Sequence, residues 1–401
     1  MTQSPTQSSP NTNNDQTTTP HIPTEIVSEE EMALIEAALA SALSSSSSSL
    51  FSPLSSTLFM RNARSISSLT LLTKKRRLSD CAETSSVGDI EDLGNCTEST
   101  QKTNEVSESF FHRFRRKRGL FVTDITATEW CEKQMEFTLL LGKPKTTSAM
   151  KAGSARHAML EEEVIKRVTI RGESEEDAWA IKFINFILGA NQLLFDGLTR
   201  ELPLIGFVEG IWMGGVIDEL LMLTTETERN VTLVDTKTRV RATIPAEPQR
   251  RNGRLQLMCY KYLWDNLAAD NFPSRQFFDF FSLDPHSILC EEIRETTANS
   301  GFPSETLYDL LRYFRNTCSM LSPAHDQLLL RYELQKDHSL LAEDKFTYDP
   351  EWLKGQIQCC VEFWLGKREA NCTPMEERWK CRFCKFASTC PANTNSEGTQ
   401  S

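Results

Sequence analysis

The chain has 401 residues, 39% of them hydrophobic, and a formal net charge of −11. That length holds one large domain or two ordinary ones, and an acidic total argues against a nucleic-acid partner unless basic residues are concentrated locally. No apolar run approaches the about 18 residues of a membrane span, no basic stretch followed by an apolar one marks a secretory signal, and no membrane partner is expected.

Residues 1–105 hold most of the low-complexity sequence, including the serine run Ser44–Ser49, and read as a disordered tail with little to bury. Within it, the stretch from Met60 to Arg77 is basic and free of acids, as a transit peptide is, although Glu25 and Glu29–Glu31 lie upstream. Lys74–Arg77, "KKRR", reads equally as a nuclear address. The expected compartment is nucleus or cytoplasm, with chloroplast or mitochondrion as the alternative. Residues 106–395 carry the apolar runs and are long enough to enclose a core, and 396–401 read as a disordered end.

The folded part is expected to begin with a helix in "VTDITATEWCEKQMEF", capped at Asp124 or Thr126 and carrying Trp130, Cys131 and Gln134. A second helix is expected from Gly153 or Ser154 to about Val168, with His157, Leu160, Glu161, Val164 and Val168 on one face. A histidine and a glutamate thus sit in a stripe that should be apolar. "AWAIKFINFILGANQLL" reads as a core helix. "LIGFVEGIW", "GGVIDELLML" and "VTLVDTKT" read as three strands, the last two a hairpin through "TTETERN" that sets Asp218 beside Asp235.

"RNGRLQLMCYKYLWDNL" (Arg251–Leu267) reads as a helix with Gln256 and Tyr260 at i, i+4. Helices are also expected in "SETLYDLLRYFRNTCSML", "PAHDQLLLRYELQ" and "EWLKGQIQCCVEFWLG". The paired phenylalanines of Asn271–Leu283 read as core. "CRFCKFASTCP" shows no period of either kind.

Six basic residues stand between Asp235 and Arg254 against two acids, and Arg113–Arg118 has five in six. Two such runs keep a polyanion in play on an acidic chain, although each alone reads as a solvated face.

Asp235 and Lys237 are two apart on a strand and share a face. Two carboxylates on paired strands suit a hard divalent cation, and a nearby lysine suits orienting or deprotonating a water and balancing charge on phosphate. Taken alone, the three residues also read as a surface hairpin carrying a charge pair. The twelve cysteines, with no secretory signal, read as intracellular thiols whose clusters point to metal or catalysis. Cys381, Cys384 and Cys390 supply three thiols within ten residues. Cys359 and Cys360 read as core thiols.

In order, Gly153-x3-His157, "GVID", "VDTK" and Gln256-x3-Tyr260 resemble the PD-(D/E)XK nuclease superfamily in its RecB-like branch. The resemblance implies an α/β fold with a mixed central sheet flanked by helices. It implies that His157, Asp218 and Asp235 hold Mg²⁺ (or Mn²⁺), that Lys237 is the catalytic lysine, and that Gln256 and Tyr260 bind or position the DNA strand. Arg239 and Arg241 would continue that face towards phosphate. Asp235 stands where many members have glutamate, and Glu161 matches less closely.

The wider order "TATEWC", "GSARH", "GGVIDEL", "VDTKTR", the Gln–Tyr helix and "CRFCKFASTC" resembles the exonuclease V family over about residues 120–392. That implies metal-dependent degradation of single-stranded DNA in genome maintenance. Cys131 with Cys381, Cys384 and Cys390 would then hold a [4Fe–4S] cluster fastening the two ends of the domain, with zinc in the same thiolates as the rival. A monomer is expected, with single-stranded DNA and a single-strand binding protein as partners. The competing functions are a non-catalytic DNA-binding scaffold on the same fold and the nuclease arm of a helicase complex. The chain has no G-x4-G-K-[ST] loop to drive a motor of its own.

Overall fold

The computed structural model describes residues 66–72, 108–224 and 229–394. The serine run, Lys74–Arg77, the tip of the hairpin at 225–228 and the C-terminal residues 396–401 lie outside the described residues. The architecture is mixed α/β: a six-stranded mixed sheet in the order β2-β5-β6-β7-β8, with β4 also paired to β5, flanked by helices.

The sheet is built from β2 (Leu120–Phe121), β4 (Leu198–Val208), β5 (Ile211–Thr224), β6 (Arg229–Arg239), β7 (Gln327–Leu334) and β8 (Leu340–Thr347). Strand β4 runs antiparallel to β5, β6 antiparallel to β5, and β7 parallel to β6. The expected strand "LIGFVEGIW" in fact contains a turn: Glu209 and Gly210 both take positive φ (47° and 85°), as a tight hairpin requires, and split it into β4 and β5. "PAHDQLLLRYELQ" is strand β7, not a helix. A short leucine run has no period of its own, and pairing with β6 decides its state.

Helix α4 (Ser148–Glu162) starts earlier and stops earlier than expected, and Val168 lies instead on β3 (Ile165–Arg171). The β-branched "VTI" is better suited to a strand. Strand β1 (Ile66–Leu72) pairs in parallel with β3 and corrects the tail boundary at residue 105. Leu69 is buried, and its backbone N–H and C=O both bond the Asn185 side-chain amide, at 2.8 and 3.0 Å. Apolar burial and a satisfied backbone together dock this piece of the expected tail.

Helix α5 (Glu175–Asp196) begins at a Ser174–Asp177 capping box and ends at Gly197, whose φ is 76°. It is long and apolar enough by composition to cross a membrane, contrary to the expectation from the sequence, but 67% of its most apolar window is buried inside the protein. Trp179, Phe183 and Phe186 stack on Phe272, Phe277, Phe281 and Phe314 at 4.5–6.3 Å. The phenylalanines of Asn271–Leu283 are therefore core, as expected. Helix α6 (Glu247–Ala268) approaches the sheet closely because Gly253 leaves room: a Cβ there would stand 3.1 Å from Leu330 of β7. This close approach brings Gln256 and Tyr260 against the middle of the sheet.

Candidate active site and cysteine cavity

The β5–β6 ladder runs from Thr224 opposite Arg229 to Glu219 opposite Val234. One step further along the same register stand Asp218 and Asp235. On the other side, Arg200 opposes Glu219 and Leu202 opposes Ile217, which sets Glu201 in register with Asp218. Glu201, Asp218 and Asp235 therefore form a row of carboxylates across three neighbouring strands. Glu201 has φ 49°, a left-handed backbone that costs a non-glycine residue and marks a constrained position. It was not singled out from the sequence. The available signal was a charge inside an otherwise apolar strand, and its meaning depends on the strand register.

His157 comes to the row from α4. That helix is anchored to the end of β7 by Arg156 Nε to Glu333 Oε2 (2.8 Å) and by Gln335 Nε2 to the Ala149 carbonyl (3.1 Å). His157 Nδ1 is 3.5 Å from Asp218 Oδ2 and 3.9 Å from Glu201 Oε1. One ligand atom each from His157, Glu201 and Asp218 lie within 4.8 Å of one another. Asp218 Oδ2 and Asp235 Oδ1 are buried with no hydrogen-bond partner. Orphaned buried oxygens are costly, and a set of them facing a histidine fits a divalent cation.

The electrostatics point the same way. Burial, then the Asp235 charge, pushes Asp218 well above the ordinary carboxylate range. Burial and the charges of Glu161 and Asp235 push Glu201 up to about 8. Asp235 is also pushed up by burial, but the Lys237 ammonium outweighs this and holds its carboxyl below the usual value. Burial lowers His157. Lys237 is raised, because Asp235 and Asp218 outweigh the burial that would lower it. The row thus crowds three carboxyls together, which the Lys237 ammonium and the charges of Arg167 and Arg200 only partly offset.

Lys237 Nζ lies 2.8 Å from Asp235 Oδ2 and donates to Gln256 Oε1 at 2.8 Å. Gln256 therefore touches the lysine, where the sequence suggested the DNA strand. Tyr260 is buried, and its ring fills the space that glycine leaves: a Cβ on Gly215 would come within 2.8 Å of it. Arg239, expected to face phosphate, is buried and bonds the Thr243 carbonyl through Nε at 3.1 Å, whereas Arg241 is exposed in the loop beyond β6. Glu161 is buried in an ion pair with Arg167 of β3. The basic run beyond Asp235 is largely paired with acids: Arg250 with Glu247, Arg251 with Glu129 and Glu377, Arg254 with Asp344. In the other run Arg115 bonds Asp124, while Arg113, Arg116 and Lys117 are exposed.

A second constellation joins residues from the two ends of the domain. The single helix expected across Cys131 is two, α2 (Val122–Trp130) and α3 (Glu132–Leu141), broken where Cys131 is extended (φ −169°, ψ 111°). Cys131 caps α3, its sulfur accepting from the Gln134 N–H at 3.4 Å. Cys131, Cys381, Cys384 and Cys390 line one cavity with Gln134, Phe137 and Thr373. The three later cysteines lie in and beyond a 3₁₀ helix, Met375–Phe383. Burial pushes the Cys384 thiol up to about 11.

Charge and aromatic contacts hold this strap. Arg251 spans Glu129 and both oxygens of Glu377 at 2.7–3.0 Å. The buried Lys380 reaches Glu377 and the Trp130 carbonyl, with its ammonium 3.9 Å from the Trp130 ring centre. Trp379 meets Trp130 edge-on at 6.1 Å, and Phe386 meets Phe137 at 5.5 Å. Cys360 is a core thiol as expected. Cys359 is exposed, its sulfur 3.0 Å from Arg368 Nη2.

Similarity to known proteins places the chain in a class first: the protein is a nuclease. The profile of a family described as "Exonuclease V - a 5' deoxyribonuclease" matches residues 109–229, 222–306 and 294–391. Similar proteins include an exonuclease V of Danio rerio, 28% identical over 298 residues, which is 73% of this chain and 74% of that one. A shorter match, 33% over 85 residues, covers 20% of this chain and 13% of a mitochondrial exonuclease V of Candida dubliniensis. The chain belongs to the exonuclease V family.

Proposed function

We propose that this chain is a divalent-cation-dependent exonuclease acting on single-stranded DNA, with a RecB-like PD-(D/E)XK core and a [4Fe–4S] cluster in its cysteine cavity. The observation that carries the reading is the row Glu201–Asp218–Asp235 with orphaned oxygens, flanked by His157 and Lys237. Asp218, Asp235, Glu201 and His157 would hold Mg²⁺ or Mn²⁺. Such an ion supplies Lewis acidity to a phosphoryl oxygen and lowers the pKa of a bound water.

The protein's own part follows from its contacts. The Lys237 ammonium, held by Asp235 and Gln256, stays protonated. It acts as a donor that orients the attacking water and offsets charge growing on the phosphate. Gln256 fixes the direction of that ammonium, and Tyr260 supports β5 at Gly215. Exposed Arg241, Arg113, Arg116 and Lys117 are cations within reach of a polyanion.

For the cysteine cavity, four thiols and the buried, unpartnered Thr373 Oγ1 suit an occupant with acceptor atoms of its own, such as cluster sulfides. The reading extends to a monomer working in genome maintenance, in nucleus or cytoplasm, with an organelle as the alternative that the name of the Candida relative favours. Its test is cleavage of end-labelled single strands in Mg²⁺. Asp235→Ala should lower the rate at least about a thousandfold while strand binding persists, since affinity comes mainly from phosphate contacts. Wild-type rates from that variant would refute the site.

A further inference from the structure

Glu201, Asp218 and Asp235 come from the sheet, whereas His157 reaches them from a helix. Its distance to the carboxylates therefore depends on where α4 is held. The first part of that helix is tied to the end of β7 through Ala149 and Arg156. Its last turn is tied by Arg200 of β4. Arg200 Nη1 donates to the Leu160 carbonyl at 2.6 Å and to Glu163 Oε2 at 2.5 Å, while Nε donates to Glu219 Oε2 at 2.8 Å. Leu160 is among the last residues of α4, whose carbonyls have no partner inside the helix, and a cation at that end also suits the helix dipole. Arg200 and Glu219 stand opposite each other on β4 and β5, and each is the chain neighbour of a row carboxylate, Glu201 and Asp218. One planar fork thus joins the end of the histidine's helix to the two strands that supply Glu201 and Asp218. Leu160 follows His157 by three residues, within one helical turn, so the tie acts close to the imidazole.

We propose that Arg200 is a positioning residue for the divalent cation: it holds His157 at ligating distance from Glu201 and Asp218 and raises affinity for the ion without touching it. The inference rests on the reading that the row binds such a cation. Arg200 is 6% exposed, and its named partners are a helix carbonyl and two carboxylates, so it works through the protein and not on the DNA strand. Partners behind a metal site fix the direction of the groups that bind the ion, and losing one weakens binding although every ligand remains. The fold itself does not depend on this fork alone. Glu219 keeps Arg331, whose Nη1 is 3.3 Å from Glu219 Oε1, and the Glu163 side chain is 46% exposed and can turn to water. Lysine in place of Arg200 keeps the charge but has no planar fork to span helix and strand.

The test is Mn²⁺ binding to the full chain without DNA, followed by the free-ion electron paramagnetic resonance signal, with thermal melting of the ion-free protein as the check on folding. Arg200→Lys should weaken Mn²⁺ binding about tenfold. His157→Ala should weaken it as well, and in that background Arg200→Lys should cost less than about twofold more, because the arginine acts through the histidine. Glu163→Ala leaves the Arg200–Glu219 pair intact and loosens the helix from the other side. It should cost about threefold, and it covers the case of an insoluble Arg200 variant. Wild-type affinity in Arg200→Lys or in Glu163→Ala overturns the proposal. So does a full tenfold loss from Arg200→Lys in the His157→Ala background, since the arginine would then act on the sheet and not through His157. Wild-type protein that binds no Mn²⁺ would instead overturn the metal reading beneath it.

Discussion

The carboxylate row and the cysteine strap solve opposite problems. The row is under-satisfied: three carboxyls converge, buried oxygens lack donors, and Glu201 sits on a left-handed backbone. The strap is over-tied: Arg251, Glu377, Lys380 and Trp130 hold it to α2 through ion pairs and stacking, besides any bond through sulfur. Frustration gathers where chemistry is expected, and redundancy where two distant parts of the chain must stay together. The row should therefore gain stability when the charge of a raised member such as Glu201 is removed, and the strap should lose it.

The largest effect is expected at Cys131. Cys131→Ala should lose most of its iron, and stability should fall by no more than on the order of 5 kcal/mol, the chain-entropy value for so long a loop. Because the ion pairs persist, the strap should stay docked, which limited proteolysis would reveal. Full iron retention would break the comparison, since the sulfurs would then not act together. Cys259→Ala, at a buried thiol of α6, should keep its iron.

The next effect isolates the ion pairs. Burial raises the Glu377 carboxyl, but Arg251 and Lys380 outweigh it and hold the pKa down to about 2, against about 4.3 for a free glutamate. A depressed acid stabilises fully above its unfolded pKa, and the contribution is lost as pH falls through the folded one. Glu377→Gln should therefore destabilise the protein at neutral pH, by about 1–2 kcal/mol after solvent screening. The gap from wild type should close between about pH 4.3 and pH 2. Urea titrations across that window measure it, and a gap that does not change with pH would show that Glu377 acts by shape alone.

The smallest effect carries the opposite sign. Glu201 is raised to about 8, so its carboxyl costs stability at every pH above its unfolded value, increasingly so up to about 8. Glu201→Gln should stabilise the cation-free protein, by on the order of 1 kcal/mol, and reduce the rise in melting temperature on adding Mn²⁺. A less stable variant would mean that the row is not frustrated.

Asp218, Asp235 and Lys237 were legible because an acid and a lysine at period two stand out in an apolar strand. Their joint position depended only on a hairpin between neighbouring segments. Glu201 was not legible, because it is brought in by the β4–β5 register, a contact that the local sequence does not announce. Strand β7 failed for the same reason, since β6 chooses its state. Tyr260 and Arg239 were identified as residues but not by what they touch, because a motif gives positions and burial is decided by packing. The tail boundary failed at Leu69, where one leucine and one asparagine on a distant helix outweigh low-complexity surroundings.

The break at Cys131 has a consequence for synthesis. Its partners Trp379, Lys380 and Cys381 follow about 250 residues later, so a ribosome adding roughly 5–20 residues per second leaves the Trp130 face and the Cys131 thiol bare for tens of seconds. The domain therefore cannot mature until the segment around Trp379 has emerged. Its first-made helices wait, open to oxidants and to chaperones, for that segment to arrive and close over them.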